Sequence, residues 1–108
     1  MATTTATLTL TSADLTGDAL SFSSTATLTK ADSATGLDQT TGVARKFFAS
    51  TQSNTNLIAA ADYTAGKAHK VYIKNTSTSN SEFIKVEIGS SNTSLGFLYG
   101  GDFLFMPY

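Results

Sequence analysis

Over residues 5–11 of this chain apolar and hydroxylated residues alternate strictly. Ala6, Leu8 and Leu10 take one phase and Thr5, Thr7, Thr9 and Thr11 the other. A period of two marks a β-strand with one face turned to a core, because successive side chains leave opposite faces of the pleat. The alternation returns over 19–30, where Leu20, Phe22, Ala26 and Leu28 share a phase that Ser24 interrupts. That stretch is long for one strand, so a bend or a division at Ser23-Ser24 is expected. Between the two, Ser12-Ala13-Asp14-Leu15-Thr16-Gly17-Asp18 is turn chemistry, with room for a short helical turn capped by Ser12. The tetrapeptide Ala-Thr-Leu-Thr occurs at 6–9 and again at 26–29. Two copies read as two similar strands, too few for a solenoid.

The firmest pattern lies between His69 and Tyr108. Val71 and Ile73 alternate with Lys70, Tyr72 and Lys74; Ile84, Val86 and Ile88 alternate with Lys85 and Glu87. These five aliphatic residues are the expected core face. The linker 76–81 suits a longer hairpin loop joining the two strands, which would bring Glu87 near Lys70 or Lys74. Phe103-Leu104-Phe105-Met106 is apolar in both phases, so either both sides are covered or one is an interface. Arg45-Lys46-Phe47-Phe48 predicts a further strand within 43–50. Residues 57–61 read as a strand or a helical turn, 31–42 as a loop and 62–67 as a turn. The sum is about seven or eight short strands, an all-β chain folded as a small antiparallel β-sandwich or jelly-roll-like barrel. A single domain over 1–108 with a flexible N-terminal arm at 1–5 is expected. Pro107 falls at a strand end, where its missing N–H does least harm.

Composition narrows the function. The chain has 108 residues, of which 14% are charged, a low share for a globular domain, with a net charge of −1. Serine and threonine replace charge on the surface, which suits a protein that spends its life against neighbours. No basic run points to nucleic acid. Cysteine is absent, so disulfides and thiolate metal sites are excluded. The first six residues have neither the charged nor the apolar region of a secretory signal, and no apolar run reaches membrane-spanning length.

Candidate chemistry is sparse. His69 is the single histidine, with no Gly-x-Ser-x-Gly motif to serve, and reads as a solvated residue at a strand start. Asp14, Asp18, Asp32 and Asp38 lie in glycine-containing loops without calcium-loop spacing and read as turn formers. Gly96, Gly100 and Gly101 lack a phosphate-loop context and read as a tight turn or bulge before the last strand. Thr-x-Thr rows resemble the hydroxyl arrays of ice-binding proteins but recur in only two segments. No catalytic residue, cofactor or metal site is expected. The aromatic residues exceed what one sandwich face needs, so Phe103, Phe105, Tyr108 and Phe47 are the candidate interface residues.

Tyr72-Ile73-Lys74-Asn75, Phe83-Ile84-Lys85-Val86-Glu87-Ile88-Gly89 and Leu98-Tyr99-Gly100-Gly101-Asp102-Phe103-Leu104-Phe105-Met106-Pro107 carry a resemblance. In these segments, about the last forty residues, the chain resembles small β-sandwich structural proteins of tailed-phage virions, particularly those of cyanobacterial and marine phages. The shared order is strand, Asn, polar loop, strand, Gly, then Gly-acid-Phe and a closing Pro. The resemblance implies a non-enzymatic role, with capsid decoration first and tail or fibre components next. Sparse charge, the doubly apolar last strand and the polar N-terminal residues point to a symmetric oligomer such as a trimer bound to other virion proteins, the major capsid protein foremost. The charge and hydropathy patterns point to no nucleic-acid or membrane partner. The resemblance also implies residence in the virion after assembly in the bacterial host cytoplasm. The alternative is a receptor- or glycan-binding tail module; a small hydrolase is disfavoured for want of a catalytic set.

Overall fold

The computed structural model describes residues 3–30, 35–37, 40, 42–59, 61 and 69–107. Among them there is no α-helix, and the chain forms six strands arranged as three two-stranded antiparallel sheets. It divides into two compact units, Met1–Lys67 and Ala68–Tyr108.

The first unit is built on one hairpin. β1 (Thr4–Ser12) pairs with β2 (Leu20–Leu28) in an unbroken register from Thr4 opposite Leu28 to Ser12 opposite Leu20. Stretch 20–28 is therefore one strand, without the expected division at Ser23-Ser24. The register preserves the sequence phases. Thr5, Thr7, Thr9 and Thr11 stand opposite Thr27, Thr25, Ser23 and Ser21 on one face, and Leu8, Leu10, Leu20 and Phe22 share the other. The Thr7 and Thr25 hydroxyls lie 2.8 Å apart and the Thr9 and Ser23 hydroxyls 3.4 Å. Ser12 closes the hairpin as a turn, not a helix: its Oγ accepts the Leu15 N–H at 3.1 Å. A short bridge, Thr29 with Gly36, engages the end of β2.

In the second unit, β3 (Lys70–Lys74) pairs with β6 (Phe103–Pro107), and β4 (Phe83–Ile88) pairs with β5 (Thr93–Tyr99). One hairpin is thus nested inside another. The nesting turns on Asn75, which is buried. Its backbone N–H reaches the Asp102 carbonyl at 3.0 Å and its own carbonyl accepts the Gly101 N–H at 3.0 Å, extending the β3–β6 ladder. Its side-chain Nδ2 donates to the carbonyls of Glu82 (3.2 Å) and Leu98 (3.0 Å), on the β4–β5 side. Its Oδ1 accepts the Ser77 N–H at 3.0 Å, starting a serine-braced loop. Tyr99-Gly100-Gly101-Asp102 is the corner between β5 and β6. The Asp102 N–H donates to the Tyr99 carbonyl at 2.9 Å, and Gly101 has φ +92°, a sign that only glycine adopts freely at the third place of such a turn. The corner presses against the loop: a Cβ on Gly100 would collide with the backbone carbonyl oxygens of Ser79 and Ser77.

Several expectations change. β3 and β4 do not pair with each other. Residues 75–82 fold back on themselves through Asn75, so the two strands enter different sheets and find partners later in the chain. Glu87 consequently meets Lys85 of its own strand at 2.5 Å, not Lys70 or Lys74. Val71 and Ile73 belong to one half-buried face and Ile84, Val86 and Ile88 to another. Residues 43–48 are not a strand: their backbone is irregular, tied by Lys46 Nζ to the Asn56 carbonyl at 2.8 Å. Residues 57–59 bend without forming a strand, and 62–67 lie outside the described residues. Among the described residues six strands take the place of seven or eight, and they form three two-stranded sheets with no closed barrel.

Candidate functional site

The outward phases of the four strands in Ala68–Tyr108 carry rings. On β3–β6 the register sets Tyr72 opposite Phe105 and Lys74 opposite Phe103, with Lys70 in the same phase. The Tyr72 and Phe103 ring centroids are 6.1 Å apart. On β4–β5, Phe83 stands opposite Tyr99 and Lys85 opposite Phe97. Phe83 meets Phe97 edge-on at 5.3 Å and Tyr99 at 5.7 Å. Such ring pairs are worth about 0.5–1.5 kcal/mol beyond their buried area.

These rings are only half covered. Tyr72, Phe83, Phe97, Tyr99, Phe103 and Phe105 are each 42–57% exposed, while Leu98 in the opposite phase of β5 falls to 9%. Leu104 and Met106 are half-buried, so the doubly apolar β6 has one covered side and one bare side. Exposed ring-rich faces mark places where something docks. Burying such a side chain fully yields about 1.5–3 kcal/mol.

Charge in these outward phases is carried by Lys70, Lys74, Lys85 and Glu87. Lys70 and Lys74 make no ion pair with the described residues. Lys85 and Glu87 neutralise each other, a surface pair of small energetic weight. Asp102, the one acid of the corner, is engaged: its carboxylate accepts the Tyr99 N–H at 2.9 Å.

Of the candidates read from the sequence, Phe103 and Phe105 share one outer face. Phe47 lies in the other compact unit, 83% exposed. Tyr108 lies outside the described residues. Sequence reasoning did not single out Tyr72, Phe83 and Tyr99 as exposed rings, and it counted Phe97 only among the rings in excess of what one sandwich face needs. A signal existed for two of them, since Tyr72 shares its phase with Lys70 and Lys74, and Phe83 with Lys85 and Glu87. His69 is half-buried and already engaged. Asp14 accepts the Ser12 hydroxyl at 3.1 Å. Asp32 and Asp38 lie outside the described residues, among which no three His, Asp or Glu side chains gather as a metal site would require. No helix among them is long and apolar enough to cross a membrane. Compared with known proteins, the chain matches no family model, no curated protein and no solved structure.

Proposed function

We propose that this chain is a non-enzymatic structural protein of a tailed-phage virion, a capsid decoration protein that stabilises the particle by contact with the major capsid protein. The observation that carries the reading is the set of six half-exposed rings on the outer faces of β3–β6 and β4–β5. Rings and aliphatic stems favour association, and their neighbours offer no set of groups poised for bond making. The low charge fraction and the resemblance of the last forty residues to phage structural proteins support the same reading. The protein acts as a symmetric oligomer such as a trimer, within the virion, after assembly in the host cytoplasm. The glycan-binding alternative needs acid or amide side chains free beside exposed tyrosines. Tyr72 is flanked by Lys70 and Lys74, and the carboxylate and amide nearest Tyr99 serve the backbone instead.

The test is co-sedimentation of the purified chain with phage heads. Stoichiometric binding is expected. Phe105→Asp should weaken it by about tenfold or more, ~1.4 kcal/mol per factor of ten, with the circular dichroism spectrum unchanged. Heads that bind the variant as well as the parent would refute the reading. So would a hydrolytic activity abolished by His69→Ala.

A further inference from the structure

Every strand among the described residues has one partner and therefore one open edge. Proteins blunt such edges with charge, proline or bulges, because bare backbone N–H and C=O groups recruit other strands. The second unit does so throughout. β3 carries Lys70 and Lys74, β4 carries Lys85 and Glu87, β5 breaks its ladder at Leu95-Gly96, and β6 ends in Pro107. β1 has none of these devices. Its nine residues contain no charge and no proline, its register runs without a bulge, and its partner β2 is equally uncharged. The end of β2 is engaged by residues 35–37 through backbone, in the Thr29–Gly36 bridge and the Leu37 N–H donated to the Leu28 carbonyl. β1 meets the same segment through a side chain, the Thr4 hydroxyl donating to the Leu37 carbonyl at 3.3 Å, which leaves β1 as the freer backbone edge.

We infer that the open edge of β1 is an interface that pairs with β1 of a second copy of this chain. Two arguments on the strand itself select that occupant. The first is electrostatic: an edge without charge carries no repulsion against its own copy and offers no counter-charge to a charged strand. The second is register. In an antiparallel ladder, directly opposed residues share a face, and a one-residue slip would set threonine against leucine. A two-fold axis through Leu8 pairs Thr4 with Ser12, Ala6 with Leu10 and Thr7 with Thr9 of the second copy. It overlaps all nine residues and keeps hydroxyls with hydroxyls and apolar side chains with apolar ones. The product is a four-stranded sheet, β2–β1–β1–β2, with one hydroxylated face and one apolar face. Four strands also relieve the marginal stability of a lone hairpin. The pairing is isologous and closes on itself. It is independent of the aromatic faces and can fail without touching the capsid reading.

The absence of cysteine from the chain makes the register directly testable. Leu8→Cys places a thiol on the axis, opposite its own copy; Leu10→Cys places one opposite Ala6. Under mild oxidation of the full chain, Leu8→Cys should form a covalent dimer and Leu10→Cys should not. Linking at both positions would indicate parallel in-register stacking and overturn the inference. Linking at neither would also overturn it. A second measurement avoids the apolar face. Thr7→Lys/Thr9→Lys and Thr7→Glu/Thr9→Glu should each sediment at half the mass of the parent species, and their equimolar mixture should restore the parent mass. Sedimentation of either variant alone at the parent mass would sink the proposal.

Discussion

In β1–β2 the ladder runs unbroken over nine residues on each strand, and its cross-strand side-chain links are hydroxyls in water. In Ala68–Tyr108 the ladder is interrupted: β3–β6 and β4–β5 are separated by a folded loop and a glycine corner, and a buried amide joins them. The first region is regular and shallow, with Leu8, Leu10, Leu20 and Phe22 all more than a third exposed. The second is irregular and anchored, because burying Asn75 is tolerable only when its donors and acceptor are all used. Regular alternation by itself yields a sheet without depth; depth comes where the chain turns a corner and a polar group is forced inside. The same contrast assigns the surfaces. The anchored unit presents rings on guarded strands, and the shallow one presents an unguarded edge.

The sharpest way to break this contrast is Asn75→Ala. It strands the carbonyls of Glu82 and Leu98 and the N–H of Ser77, and each such loss costs about 1–3 kcal/mol where water cannot replace it. A loss of about 3 kcal/mol is expected from the urea midpoint of Ala68–Tyr108, read by its ring signals in the intact chain. A change within error would mean that the amide is not the joint.

Gly100→Ala comes next. The added methyl would collide with the backbone oxygens of Ser79 and Ser77, neither of which is the end of a flexible side chain. Overpacking of this kind costs about 1–3 kcal/mol, and thermal unfolding should move accordingly. Gly17→Ala, with nothing within 4 Å of the added atom, is the control in the hairpin turn and should be near neutral.

Thr7→Ala should have the smallest effect. It removes one exposed hydroxyl pair with Thr25, worth about 0.2–1 kcal/mol. Hydrogen exchange of the hairpin amides is the sensitive readout. A loss as large as that of Asn75→Ala would show that the hydroxyl row, not the backbone ladder, holds β1 to β2.

The sequence by itself determined the strands whose alternation is clean. β1, β3 and β4 lie where the phases predict, because period two is a local property of the chain. It determined the turn at Gly100-Gly101, since a positive φ demands glycine whatever surrounds it. It also exposed Phe103 and Phe105, because a strand apolar in both phases has one side more than a single sheet can cover. Only the tertiary structure decided which strand pairs with which. Alternation specifies a face but no partner, and the choice of β6 over β4 for β3 rests on Asn75 bonding three backbone groups up to 23 residues away. Residues 43–48 failed as a strand for the same reason. Their propensity favoured one, but among the described residues no partner supplies the ladder, and a strand without a partner has no hydrogen bonds to hold it.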